Sequence, residues 1–216
     1  MPSSQPSITA IVAATITNGI GHNGTLPWRL PGEMKYFARV TTGESPSSPN
    51  TYNAVLMGRK TWEAIPTKFR PLKSRFNLVI SRQGIDLFVL VPHLAKKTCL
   101  MKKNSLRSGQ PMTSTHHSIT SAIAELPSRT NRVFLMGGAQ LYELALTSSP
   151  PTVDRVLLTR ILTEFECDTF LTDFIRDKAW SRASHAELCE WVGWEVPEGE
   201  LEEKGVKYRY EMWMIR

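Results

Sequence analysis

The sequence predicts an α/β fold with a mostly parallel sheet, and three observations carry that expectation. Short apolar strand-like runs alternate with helix-forming stretches, the pattern of strand–helix–strand units joined by right-handed crossovers. Most of those runs are apolar at successive positions, so both faces of the sheet are covered. The carboxyl-terminal part changes character and reads as antiparallel.

The elements follow in order. Ile8 to Thr15 (ITAIVAAT) is a strand running into a glycine-rich stretch. Glu33 to Val40 is a helix, with Pro31 suited to its start. Ala54 to Met57 and Asn77 to Ser81 are strands around a helix at Thr61 to Ile65. Ser118 to Glu125 is the next helix, Arg132 to Met136 a strand, Ala139 to Leu146 a helix and Arg155 to Ile161 a strand. Trp180 to Leu188 and Lys207 to Ile215 read as strands flanking a Gly/Pro/Glu-rich loop, an antiparallel hairpin added to the sheet. Thr42 to Asn53 and Gln83 to His116 read as loops or insertions. No repeat and no linker composition divides the chain, so 1–216 is expected to be a single domain with 83–116 as an atypical basic segment.

Composition narrows the class. The 216 residues are 41% hydrophobic and 21% charged, which excludes a disordered chain, a collagen and a coiled coil. The longest apolar runs are about five residues, such as Leu87 to Val91, against the roughly 20 that a membrane-spanning helix needs. The first residues, Met-Pro-Ser-Ser-Gln-Pro-Ser, lack a basic and an apolar region, so no secretory signal is expected and the cytoplasm is the expected compartment. Cys99, Cys167 and Cys189 are widely spaced, as free thiols are. The histidines show no i, i+4 pairing, and no metal site is expected. The net charge is +6 and the pI about 9.3, which favours an anionic partner. Residues 83–116, with Lys96, Lys97, Lys102, Lys103 and Arg107 against Asp86, supply +4 of it.

Four constellations carry chemistry. Glu33 and Phe37 share a helix face, with Leu30 and Met34 close by, which puts one carboxylate on an apolar stripe. Desolvation there would raise the acid's pKa and suit it to hold a proton near neutrality. Gly137-Gly138 stands between a strand and a helix, where backbone N–H groups can approach a phosphate. Met57-Gly58-Arg59-Lys60-Thr61-Trp62 again joins strand to helix, with two cations at the junction. Ser81-Arg82 ends the neighbouring strand in the same way, and ligands of open α/β sheets bind outside such strand ends. Gly19-Ile20-Gly21-His22-Asn23-Gly24-Thr25-Leu26-Pro27-Trp28 reads as a mobile loop with a stiff exit, able to close over a ligand. Each feature alone also has a plain structural role: a dipole preference for Glu33, a tight turn for the glycine pair, solvated strand ends for the cations.

Taken together and in order, these residues resemble the dihydrofolate reductase family. The resemblance runs from the Gly19–Trp28 motif through Glu33, Tyr36-Phe37, Met57–Trp62, Ile65-Pro66 and Arg70-Pro71-Leu72. It continues with Arg75, Asn77, Ser81-Arg82, Met136-Gly137-Gly138, Leu141-Tyr142, Thr159-Arg160, Asp168-Thr169-Phe170 and Glu202 to Gly205. It covers residues 8–82 and 118–215, and its detail is fungal. It implies a three-layer α/β/α fold and hydride transfer from NADPH to the imine carbon of dihydrofolate, with protonation of the neighbouring nitrogen. By resemblance, Glu33 binds the pterin and assists proton delivery, Thr159 orients Glu33, and Trp28 helps hold a water. Ile11, Met34, Phe37, Ile65, Leu72 and Met136 would wall the substrate, with Val12 and Tyr142 also on its side. Arg75 would pair with its glutamate α-carboxylate. Ala13, Gly19, Ile20, Gly21, Gly24, Thr25 and Leu26 would flank the nicotinamide and its ribose. Gly137, Gly138, Ala139, Gln140 and Leu141 would cradle the pyrophosphate. Gly58, Arg59, Lys60, Thr61, Ile80, Ser81 and Arg82 would complete the cofactor side, its cations favouring NADPH over NADH. A monomer is expected.

Two other readings stay open. One is a reductase of the same fold acting on a pyrimidine of riboflavin synthesis, against which the Leu-Pro-Trp loop, Glu33 and Arg75 count. The other is a basic nucleic-acid-binding protein with 83–116 as its arm, although no recognition helix or aromatic platform is evident.

Overall fold

Apolar, largely β-branched runs make the centre of the sheet. The computed structural model describes residues 7–43, 51–83 and 113–216. β1 (Ile8–Thr15) lies between β6 (Thr130–Leu135) and β7 (Val153–Ile161), parallel to both. Beyond β6 come β3 (Tyr52–Gly58), β4 (Arg75–Ile80) and β5 (Thr113–His116), all parallel. On the other side β7 pairs antiparallel with β11 (Val206–Ile215). The outer edge of β11 takes β10 (Leu201–Glu203) along its first half and β9 (Trp180–Arg182) along its last residues. These make nine strands among the described residues; β2 (Gly19–Gly21) and β8 (Thr169–Phe170) form a separate ribbon.

Alternation along each strand sends side chains to two apolar layers. Ile11, Val55, Met57, Val79, Phe134 and Leu157 meet Tyr36 and Val40 of α1 (Pro31–Thr42), Trp62 of α2 (Arg59–Ala64) and Leu188 of α5 (His185–Val192). Ala10, Val12, Leu56, Leu78, Leu135 and Leu158 meet Ile119 and Ala122 of α3 (Ile119–Ala124) and Tyr142, Ala145 and Leu146 of α4 (Ala139–Thr147). The result is a three-layer α/β/α arrangement. Trp62 is fully buried, and its truncation to alanine is worth about 3–5 kcal/mol. None of the helices among the described residues is long and apolar enough to cross a membrane.

Because α1 leaves β1 on one face and α4 leaves the adjacent β6 on the other, a crevice opens outside the carboxyl ends of these two strands. The functional residues gather around it.

The structure differs from the sequence expectation at several places. Trp180 to Leu188 is not one strand: β9 stops at Arg182 and α5 begins at His185. Ser184 and Glu187 form a reciprocal capping box, and Gly193 closes the helix in the left-handed conformation at φ +87°. β9 does pair antiparallel with β11, and the hairpin itself is β10–β11, turning at Lys204-Gly205 within the Glu202 to Gly205 motif of the family resemblance. Thr113 to His116, expected as loop, is the edge strand β5, paired with Asn77 to Ile80 of β4. The rest of the basic segment, Cys99 and its lysines included, lies outside the described residues.

Candidate functional site

The crevice has a buried acid on one side. Pro31 occupies the first turn of α1, and Glu33, Tyr36, Val40 and Thr41 form its buried stripe. Glu33 is 6% exposed. Thr159, near the carboxyl end of β7 and paired with Ala13 of β1 and Tyr210 of β11, donates its hydroxyl to Glu33 Oε1 at 3.3 Å. Burial pushes the Glu33 carboxyl up to about 7; the Thr159 hydrogen bond opposes this and the charge of Glu203 adds to it. Below Glu33, Tyr36 stacks on Tyr210 with ring centroids 4.0 Å apart. Trp28 is buried edge-on against Phe165, and its indole N–H has no acceptor among the described residues.

The walls are apolar. Ile11 is buried in the layer beneath α1, with Phe37, Ile65, Leu72 and Met136 partly buried against the same layer. Met34 is 48% exposed and lies on the rim. Val12, Ile80 and Tyr142 have their side chains in the opposite layer, under α3 and α4. The Tyr142 hydroxyl donates to the Ile11 carbonyl at 2.7 Å, so it secures the wall from behind.

A buried cation stands at the far end of α1. Arg75 is 8% exposed and donates through Nη1 to the Thr41 hydroxyl and through Nε to the Lys73 carbonyl at 3.0 Å. Burial lowers its pKa to about 10, which leaves it charged at neutral pH. Asn77 exchanges hydrogen bonds of 2.9 Å with both backbone groups of Leu72 and so fixes the loop that delivers Arg75. Thr41 is eight residues beyond Glu33, which spaces acid and cation by about 12 Å along the helix axis. The sequence reading missed Thr41; its spacing on the buried stripe was the available signal.

The opposite wall is glycine and exposed charge. The Gly58 N–H donates to the Gly137 carbonyl at 2.8 Å, joining the ends of β3 and β6. The Gly137–Gly138 peptide is cis and Gly137 has φ +106°. A Cβ on Gly137 would lie 3.0 Å from the Tyr142 ring, and one on Gly138 would lie 3.2 Å from Thr61 Oγ1. The first turn of α4, Ala139 to Leu141, carries no side-chain cap. Arg59, Lys60 and Arg82 are exposed, and Arg59 makes a surface pair with Glu63 at 3.4 Å. Ser81 is buried, its N–H donating to the His116 carbonyl at 2.9 Å.

The Gly19–Leu26 segment, part of the stretch Gly19 to Trp28 expected as a mobile loop with a stiff exit, is tied down. Gly19 pairs with Phe170 and Gly21 with Thr169, while His22 and Thr25 close a tight turn through reciprocal bonds of 2.9 and 3.0 Å. Asp168 accepts from the Asn23 N–H at 2.7 Å. A side chain at Gly19 would run into Cys167.

This cleft offers a dry carboxyl that exchanges a proton near neutrality, a buried cation about 12 Å away, and a strip of backbone and cations suited to phosphates. A sequence profile described as dihydrofolate reductase matches residues 7–98 and 93–190. The chain is 49% identical to the dihydrofolate reductase of Cryptococcus neoformans, with 99% of this chain and 96% of the relative covered. It is 41% identical to that of Pneumocystis carinii, with 97% of each covered, and 37% identical to that of Sus scrofa, over 95% and 96%. The chain belongs to the dihydrofolate reductase family.

Proposed function

We propose that this chain reduces 7,8-dihydrofolate to 5,6,7,8-tetrahydrofolate with NADPH, and that Glu33 holds and delivers the proton at the substrate. The observation that carries the reading is the spacing on α1. Glu33 at its start suits the amino and ring N–H groups of a pterin, and Arg75 beside its end suits the carboxylate of a glutamate tail.

The residues present fit the cofactor. Tyr142 and Thr61 pack where side chains at Gly137 and Gly138 would lie, which keeps this backbone bare, and Arg59, Lys60 and Arg82 stand exposed nearby. Those cations would favour the additional phosphate of NADPH over NADH. Bound NADPH supplies the hydride, which no side chain can. The protein's own part is orientation and protonation. Ile11, Phe37, Ile65, Leu72 and Met136 keep the pterin side dry, which strengthens its bonds to Glu33. Thr159 fixes the carboxyl through Oε1, and the Trp28 N–H is a donor available to a water or ligand atom. Gly19 to Leu26, pinned by Asp168, would form the wall over the nicotinamide. We also propose a single-domain monomer, since its own helices cover both sheet faces, and the cytoplasm as its compartment.

The test follows NADPH absorbance with dihydrofolate, for wild type and Glu33→Gln side by side. Turnover in wild type and a large loss in the variant, easing at low pH where solvent protonates the imine, are expected. A folded wild type that binds NADPH yet leaves dihydrofolate untouched would overturn the substrate assignment.

A further inference from the structure

Helix α1 carries the proposed acid yet has no N-cap of its own. Its N-cap residue is Leu30, which offers no side-chain acceptor, and Pro31 has no N–H to satisfy. The acceptor comes instead from the other end of the chain. Glu203 Oε2 accepts the Gly32 N–H at 2.8 Å, across 171 residues of sequence. The tail hairpin places it there: Lys204 and Gly205 turn with φ +54° and +77°, the tight two-residue turn, and pair Glu203 with Val206. Position 32 is glycine where space is short, since a Cβ would lie 2.9 Å from Glu203 Oε2 and 3.2 Å from the Tyr208 hydroxyl.

We propose that Glu203 is a positioning residue for the reaction: it caps the first turn of α1 and sets its carboxylate charge beside Glu33. The proposal rests on Glu33 being the proton-holding group. The groups coupled to Glu33 come from every element packed around it. They are Thr159 on β7, Tyr36 on α1, Tyr142 on α4, Tyr208 and Tyr210 on β11, and Glu203 on β10. Burial holds all four phenols above their ordinary range, so they are neutral near pH 7. Among the described residues Glu203 is the one charged group acting on Glu33, and like charges disfavour ionisation. A neutral residue there lets Glu33 lose its proton at lower pH.

Glu203→Gln keeps an acceptor for Gly32 and removes the charge. The single-turnover rate of hydride transfer, measured against pH with saturating NADPH and dihydrofolate, should show its midpoint moved to lower pH. The rate at pH 8 should fall about threefold, with little change below pH 6 and thermal stability near wild type. Glu203→Ala should show the same shift and also melt several degrees lower, because the cap is lost. Gly32→Ala should shift the profile in the same direction in the wild-type background and leave it unmoved in the Glu203→Ala background. A Glu203→Gln profile that superimposes on wild type overturns the proposal. The Glu33→Gln profile separates the two ideas: persistence of the wild-type midpoint there would overturn the role of Glu33 itself.

Discussion

The two walls of the cleft are built on opposite plans. Around Glu33 the protein has finished its work: the carboxyl is buried, bonded to Thr159 and underlain by stacked Tyr36 and Tyr210. Around Gly137 and Gly138 it supplies bare backbone, an uncapped helix start and exposed cations. Under the proposed function the difference matches what each wall would recognise. A pterin ring presents small neutral donors, and only a desolvated, fixed carboxyl discriminates them well. A dinucleotide brings its own phosphates, which backbone N–H groups and surface charge can grip from solvent.

Substitutions on the two walls should therefore separate chemistry from cofactor affinity. Glu33→Gln should lower hydride transfer at pH 7 by roughly 10²–10⁴-fold and leave NADPH affinity, read by fluorescence titration, unchanged. The same change should stabilise the unliganded protein. The Glu33 pKa is raised from 4.5 to about 7, so the folded state keeps a proton that the unfolded chain has released. Its contribution to stability falls as pH rises through that window and reaches about 3 kcal/mol of cost above it. Urea unfolding should show Glu33→Gln level with wild type near pH 4 and ahead of it, by up to that amount, at pH 8. Arg75→Met should raise the KM for dihydrofolate about 30-fold with kcat little changed, and leave a pterin lacking the carboxylate tail unaffected. Gly137→Ala, at φ +106° and 3.0 Å from Tyr142, should weaken NADPH about tenfold and cost roughly 1–2 kcal/mol of stability. The Arg59→Ala, Arg82→Ala pair should shrink the preference for NADPH over NADH by roughly threefold to tenfold, the modest effect of exposed charges. Equal loss of both cofactors would blur the contrast between the walls.

The legible parts of the fold were those that local chemistry decides. β1 occupies Ile8 to Thr15 as read, because a run apolar on both faces has one stable place, the sheet centre. Glu33 was readable because an acid at helical spacing among Leu30, Met34 and Phe37 is out of register with its neighbours. α5 was missed although Ser184 and Glu187 spell its capping box, because Trp180 to Leu188 was read as one continuous strand. β5 is polar, and only pairing with β4 makes Thr113 to His116 a strand. The helical spacing of Thr41 marks it as buried, but neither its partner nor that of Glu203 is written in the sequence. Each acts through a partner 34 or 171 residues away, a distance that only the folded chain closes.

The central claim is that burial makes Glu33 a proton-holding group before any ligand arrives. Its carboxyl can be titrated directly by carbon-13 NMR in the unliganded protein, with Glu33→Gln to assign the signal. A midpoint near 7 is the expected result. A midpoint at the ordinary carboxylate value, about 4.5, would contradict the account and return the acid's role to the bound substrate.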